Sequence, residues 1–355
     1  MSSGGIAQLV SIGAQDAWIT GNPEVSFFRS TYKRHTNFAQ VVQRQVIQGG
    51  VNPSSMSSIR LERKGDMVSQ VYLTKRLNGT QVNFAANDID HIDFLIGGQV
   101  IDSQDNTFIN EVADPFLSST QNRVAYTTSG NTGIFYPLRF WFCENIQSAL
   151  PLISLQYHDI EIRIYWASSV SSTNIFEAWS NFIVLDNAER EDLAMRPQKH
   201  LMYQVQKQTA SFTKVQNLVF NHPIKFITNG ATGNCLIGTN TTTAEVNSNN
   251  NIDSILLQIN GVDIGEQKTY TPHFDMSPCY YACPYYSPAF TGTTTPFLLP
   301  FCLDTTKLQP TGSLNFSRID SARLVSSNNF VNTLYAVNYN ILKIENGMGG
   351  LMYAN

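Results

Sequence analysis

Charged side chains are scarce in this 355-residue sequence. Asp, Glu, Lys and Arg make up 14% of it, against about 25% in ordinary globular chains. The net charge is −4 and no basic run occurs, which argues against direct binding of nucleic acid. No stretch reaches the roughly 18 apolar residues of a membrane-spanning helix. Met1 to Val10 has neither the positive n-region nor the apolar h-region of a secretory signal. Five cysteines are too few, and odd in number, for a disulfide framework. A chain made and kept in reducing cytoplasm is expected.

Patterns that carry chemistry are missing too. The histidines are His35, His91, His158, His200, His222 and His273, and none has a second His at i+4 to make a helical metal pair. No Gly-x-Ser-x-Gly occurs, and no P-loop Lys-Ser/Thr follows Gly4-Gly5 or Gly347–Gly350. Cys279-x-x-x-Cys283 near His273 is half of a zinc pattern, but only Cys302 follows where a second pair is needed. These thiols read as ordinary loop or core residues. Cys143 and Cys302 read as small apolar residues on equivalent strands. Tyr157-His158-Asp159 sets a His beside an Asp, but neighbours on a strand point to opposite faces, so a structural role is expected. Carboxylate pairs that meet only in space leave no mark in sequence. No catalytic, cofactor-binding or metal-ligating residue is assigned, and the chain is expected not to be an enzyme.

What the sequence does have is a copy of itself. Phe142-Cys143, seven residues, then Pro151-x-x-Ser154-Leu155-Gln156-Tyr157 returns as Phe301-Cys302, seven residues, then Pro310-x-x-Ser313-Leu314-Asn315-Phe316, an offset of 159 (301 − 142). Ile89-Asp90-x-Ile92-x-x-x-Ile96-Gly97-Gly98 returns as Ile252-Asp253-x-Ile255-x-x-x-Ile259-Asn260-Gly261, an offset of 163 (252 − 89). Solenoid repeats run about 20–50 residues, so this period is a duplicated domain. Phe142 should superpose on Phe301 and Ile92 on Ile255.

Within each copy the signals are those of strands. Ile160, Ile162 and Ile164 alternate with Glu161, Arg163 and Tyr165, the period of a half-buried strand. Ile255, Leu257 and Ile259 alternate up to Asn260-Gly261, a strong hairpin signal because both turn residues need positive φ; Gly97-Gly98 is its counterpart. Tyr335, Val337, Tyr339 and Ile341 alternate in the same way. Helical signals are few: Asp186–Arg196, capped by Asp186 and stopped by Pro197, and short turns at 113–117 and 304–308. Residues 168–174 and 238–251 read as exposed loops. The fold class is all-β: two tandem eight-stranded antiparallel jelly rolls, a double jelly roll.

Three segments are more specific than architecture. They are Gly13-Ala14-Gln15-Asp16 with Thr20-Gly21-Asn22-Pro23, Phe27-Phe28 and Tyr32–Phe38; Pro137-Leu138-Arg139-Phe140-Trp141-Phe142; and Asn315–Asp320 with Tyr335–Ile344 and Gly347–Leu351. Together they resemble the major capsid protein of the nucleocytoplasmic large DNA viruses, closest to the algal-virus and iridovirus branch, over nearly the whole chain. The resemblance implies two jelly rolls per chain and a homotrimer. Such a trimer is a pseudohexagonal capsomer that tiles an icosahedral shell, with neighbouring capsomers and minor capsid proteins as partners and an internal viral membrane beneath. It implies a virion protein made in the host cytoplasm. The chain is shorter than many relatives, whose outward loops are longer. The alternatives are a minor capsid paralogue of the family and a tandem β-sandwich that binds or hydrolyses glycans. The missing signal peptide and unpaired cysteines count against the second.

On this reading residues 1–24 are an N-terminal assembly segment, 25–185 the first jelly roll, 186–204 the connection and 205–355 the second jelly roll. Gln15, Asp16, Asn22 and Pro23 carry the densest family-like motif in a segment outside both copies of the repeat. Lys33-Arg34-His35 is the one dense basic patch, suited to a solvated turn, an intersubunit ion pair or an anionic membrane surface. These seven residues are the candidate assembly sites. Of the sequons, Asn78 and Asn240 fall in turn-like segments and are candidate glycosylation sites, whereas Asn315 falls in a core-like strand.

Overall fold

The computed structural model describes residues 4–5, 7, 11, 13–85, 88–118, 135–229, 253–284 and 297–353. Asn240 and the whole expected loop 238–251 lie outside the described residues. Met1–Asn37 and Phe38–Asn355 form separate units, so residues 25–37 group with the N-terminal segment and not with the first roll.

In the second unit the first roll comprises β1 (Phe38–Gln45), β2 (Ile47–Gln48), β3 (Met56–Arg60), β4 (Met67–Leu77), β5 (Thr80–Gln81), β6 (Ile89–Ile96), β7 (Gln99–Asp105), β8 (Phe135–Pro137), β9 (Leu150–Pro151), β10 (Ile160–Trp166) and β11 (Ile175–Leu185). The second comprises β12 (Gln198–Gln208), β13 (Val215–Asn217), β14 (Pro223–Thr228), β15 (Ser254–Ile259), β16 (Val262–Thr269), β17 (Leu298–Pro300), β18 (Leu314–Asn315), β19 (Ala322–Ser326), β20 (Leu334–Glu345) and β21 (Met348–Leu351). The helix Asn187–Met195 lies between them. β12 takes up residues 198–204, which the sequence reading placed in the connection.

Among the described residues nine strand positions recur in the same order. One sheet of the first roll runs β1-β11-β4, with β8 and β9 both on β4; the second roll repeats this as β12-β20-β14, with β17 and β18 both on β14. The facing sheet runs β3-β10-β6-β7, repeated as β13-β19-β15-β16. All pairs are antiparallel, and sequence neighbours are often not sheet neighbours, as Greek-key connections require. The short strands β2, β5 and β21 are additions to this plan.

Strand pairing corrects half of the sequence match. Ile96 faces Gln99 and Ile259 faces Val262 across the two hairpins, so Ile92 and Ile255 are equivalent at the offset of 163, and both are buried. The turns have positive φ at Gly97 and Gly98, and at Asn260 and Gly261. The Phe-Cys match fails. Val68 and Ile224 each precede a bulge; Val68 faces Leu150, and Ile224 faces Leu314. That offset is 164 (314 − 150), so Pro151 corresponds to Asn315 and not to Pro310. Phe142 and Cys143 lie in the helix Trp141–Glu144, and Phe301 and Cys302 in an irregular turn after β17. Neither cysteine is on a strand. The two segments connect equivalent strands, but an apolar pair suits any buried crossing and fixes no register.

Other differences have local causes. Residues 304–308 are not helical, because Asp304 Oδ1 accepts from Thr306 N (2.8 Å) and Thr306 Oγ1 (2.7 Å), an Asx turn that competes with a helix. Tyr157 and His158 sit in a turn before β10, not on a strand. β10 alternates as expected, with Ile160, Ile162 and Ile164 buried. β20 does not: every residue from Leu334 to Asn340 is buried. Leu334 and Ala336 point into the second roll's own core, and Tyr335 and Val337 into the first roll's apolar cluster. The helix Asn187–Met195 follows the reading, although Asp186 makes no side-chain cap bond.

Candidate assembly surfaces

The junction between the rolls shows what a mated surface of this chain looks like. β7 of the first roll lies against β12 of the second. Asp102 Oδ1 accepts from Val205 N at 3.0 Å, and Gln204 Nε2 donates to Ile101 O. Asp105 Oδ2 accepts from Tyr335 Oη at 2.8 Å and pairs with Lys207 Nζ at 2.6 Å. The segment after β7 folds as a π-helical turn, Phe108–Ala113, and the helix Asp114–Leu117. This helical pad packs under the second roll, with Phe108 against Tyr335 (5.9 Å) and Phe116 against Phe226 (5.8 Å). At the far end Tyr157 N donates to Gly347 O at 2.9 Å, and His158 Nδ1 lies 2.9 Å from Gly349 O. The His158 ring fills the space beside Gly97, where a Cβ would come within 2.7 Å of it. The Tyr157-His158-Asp159 motif is therefore structural: His158 joins the rolls and Asp159 pairs with Arg60 at 2.7 Å.

The family-like motif 137–142 supplies the buried electrostatic centre of this junction. Arg139 Nη2 donates to Ala113 O (2.9 Å) and Ser118 Oγ (2.7 Å). Its guanidinium lies 3.1 Å from Asp114 and 3.0 Å from Glu144 as ion pairs. Its carbonyl accepts from Gln104 Nε2 (3.1 Å) and from Tyr203 Oη of the second roll (3.0 Å). Burial works against the charge of Arg139, but Glu144 and Asp114 outweigh it and hold its pKa above the ordinary value. Burial raises the pKa of Asp102 to about 7 against its hydrogen bonds from Val205 and Gln104. Sequence reasoning missed both groups. Arg139 stands alone among aromatics, and Asp102 in a hairpin read only for its turn.

Other reactive groups are engaged. Lys225 is buried, which lowers its pKa to about 8, and donates to Lys307 O at 2.8 Å. Burial pushes the Cys143 thiol up to about 12 and Cys302 to about 11. Cys279 is raised by its hydrogen bond to Cys283 and by burial. Among the described residues no group of three or more His, Cys, Asp or Glu could hold a metal ion. A groove of about 660 Å³ at the junction is lined by Asp90, His91, Asp105 and Lys207; Asp90 is hydrogen-bonded to His91 and Asp105 is paired with Lys207.

The candidate assembly residues all lie in the N-terminal unit. Asp16 Oδ2 accepts from Gly13 N (3.0 Å), and the helix Ala17–Thr20 follows. Asn22 has φ 49 before Pro23. Gln15, Asn22, Pro23, Lys33, Arg34 and His35 are exposed, and His35 Nδ1 lies 2.8 Å from Thr36 O. Trp18, Phe27, Phe28 and Tyr32 are exposed beside them, Phe27 at 94% and Phe28 at 100%. Asn78 is exposed at the β4–β5 turn, so its side chain is accessible. Asn315 instead pairs with Pro223 and accepts from Ser317 N.

Two stretches of the second unit are also bare. β16 is exposed at all eight residues, and β1 at six of eight. The helix Met276–Ala282, which follows β16, exposes Tyr280 at 80% and Tyr281 at 78%.

Comparison with known proteins agrees with this architecture. Residues 26–195 match the family described as major capsid protein N-terminus, and 189–350 the family of large eukaryotic DNA virus major capsid proteins. The major capsid protein of Paramecium bursaria Chlorella virus 1 is 30% identical, over 99% of this chain and all of that one. That of Pyramimonas orientalis virus is also 30% identical over the same shares. The first alignment is 91 positions longer than this chain (446 − 355), so at least that many of its positions have no counterpart here. The quasi-atomic model of the PBCV-1 virus capsid superposes with a TM-score of 0.74 at 27% identity, over 93% of this chain and all of that one. The Faustovirus major capsid protein shares the fold, with a TM-score of 0.63 at 12% identity. With its two rolls, its buried junction and matches that run nearly end to end, the chain belongs to the major capsid protein family of the large eukaryotic DNA viruses, whose members form the virion shell.

Proposed function

We propose that this chain works by self-assembly and not by catalysis, as a homotrimeric capsomer of pseudohexagonal outline that tiles an icosahedral shell. The observation that carries the reading is the doubled roll: three chains supply six similar rolls, and heterologous contacts close under three-fold rotation. Weak contacts between capsomers suffice, because each capsomer touches several others and multivalency compounds them. Residues 38–185 and 198–351 are the two building blocks, and the N-terminal unit is the link between capsomers.

Gln15, Asp16, Asn22 and Pro23 shape that link, and Lys33, Arg34 and His35 give it a basic end. Its exposed rings have too little company to bury themselves alone, so they order against neighbouring capsomers or minor capsid proteins on the inner face. The basic end also suits an anionic membrane beneath the shell. Deleting Met1–Thr20 is expected to leave the trimer and its melting temperature unchanged and to lower the yield of closed shells. Light scattering, calorimetry and electron microscopy read the three. A fall of many degrees in melting temperature would place the segment in the fold, and an unchanged shell yield would remove it from assembly.

A further inference from the structure

The rolls repeat each other, but their surfaces are not equally covered. Within the chain, Ile101, Asp102 and Gln104 of β7 and most of the pad 108–117 of the first roll are buried against β12, β20 and β14 of the second. In the other copy the corresponding edges, β16 and β1, are open, the helix Met276–Ala282 leaves Tyr280 and Tyr281 in solvent, and Trp179 on the outer face of β11 is half-buried. β16 and the helix Met276–Ala282 are the second roll's counterparts of β7 and its pad, each between the same two strands of the plan. β1 and β11 are the first roll's counterparts of β12 and β20.

The pairing registers make the correspondence residue by residue. Phe182 and Asn338 face the matching bulge strands, so their partners Val41 and Gln204 are equivalent. Val42 then matches Val205, Arg44 matches Lys207, and Trp179 matches Tyr335. On the other side Phe94 faces Asp102 and Leu257 faces Ile264, so Ile264 matches Asp102. Of the mated members, Asp102 and Tyr335 are at most 3% exposed, Val205 is half-buried, and Lys207 keeps an exposed side chain while it binds Asp105. The unmated counterparts of Val205 and Asp102 are apolar and bare, Val42 at 50% and Ile264 at 51%, and Trp179, the counterpart of Tyr335, is half-buried. Arg44, the counterpart of the Lys207 that binds Asp105, is exposed, and exposed β16 carries Asp263 and Glu266.

We propose that β16 and the helix Met276–Ala282 of one copy dock on the β1 edge and the outer face of β11 of the next copy. Ile264, Tyr280 and Tyr281 then meet Val42, Arg44 and Trp179, repeating between chains the junction that joins the rolls within one. The occupant of each open surface is a second copy of this chain, because the chain already holds the complementary half in mated form. The contact is heterologous, so it closes as a ring or runs on as a filament. The proposal rests on the trimer reading above and names its interface.

The test uses the full chain with Val42→Cys and Ile264→Cys together, under mild oxidation by diamide, beside each single variant. Expected are disulfide-linked chains in ladders ending at three on a denaturing gel, from the double variant only. A trimer by light scattering in which the double variant forms no linkage would overturn this interface and leave the trimer standing. A monomer at every concentration would overturn the trimer itself, and an unlimited ladder would overturn the closed ring. Tyr280→Glu with Tyr281→Glu, both on solvent-exposed side chains, should keep the melting temperature of the monomer. The concentration needed for half-assembly should rise about tenfold or more, and an unchanged assembly curve would remove the helix from the interface.

Discussion

Replacing Arg139 by Met is expected to lower the unfolding free energy by about 3–5 kcal/mol, the range for removing one partner of a buried ion pair. The side chains of Arg139, Asp114 and Glu144 are each at most 5% exposed. Removing the guanidinium leaves two carboxylates in the same dry space and orphans Ala113 O and Ser118 Oγ. The loss is expected to shrink at acid pH, where those carboxylates take up protons. The triple change Arg139→Met, Asp114→Leu, Glu144→Met should recover most of it, since an apolar substitute for a buried triad is often neutral. Denaturant midpoints at pH 7 and pH 5 read both effects. A loss below about 1 kcal/mol at pH 7 would mean that the triad behaves as a solvated surface pair and does not brace the junction.

The second large effect is a pH dependence centred on Asp102. Its carboxyl titrates near pH 7 in the folded chain and near its ordinary 3.8 when unfolded. Between those values the folded chain holds a proton that the unfolded chain has released, so folding binds protons. The stability contributed by neutral Asp102 is therefore complete below pH 4 and is lost as pH rises to 7. Three pKa units set a ceiling of about 4 kcal/mol. Asp102→Asn keeps an oxygen for Val205 N and cannot ionise. The variant is expected to match the parent near pH 4 and to exceed it progressively up to pH 8, in denaturant midpoints taken across that range. A stability difference that stays flat with pH would show that Asp102 is not neutralised at the junction.

The strands facing one core were legible because alternation and turn chemistry are local. Ile160, Ile162 and Ile164 in β10, and Asn260-Gly261 between β15 and β16, announce themselves within a few residues. β20 was read as half-buried, although its neighbour on the far face is another roll, and no local pattern encodes that. The Phe142/Phe301 match misled for the opposite reason. Aromatic-plus-cysteine suits any buried crossing, whereas the register is set by the bulges at Ser69 and Lys225, which leave no signature. Arg139 could have been found: a lone Arg inside an otherwise apolar run, Pro137–Phe142, must be neutralised if the run is buried. Its partners Asp114 and Glu144 could not, since only the fold brings the first of them near. The short helix Met276–Ala282 was missed, because Pro278 and two tyrosines mask so brief a periodicity.

The two-sided burial of β20 bears on the order in which the molecule can be made. A ribosome releases the N-terminal part first, and domains tend to fold as they emerge. The strands β1 to β11 close on one another by residue 185, before β20 exists, so the first roll can present Phe108 and Phe116 as a finished template. Among the described residues the second roll has the smaller private core and rests Tyr335, Val337 and Phe226 on that template. The earlier half is therefore expected to act as a folding template for the later half. Gene fragments that end near residue 195 should yield soluble protein, while fragments that begin there should not.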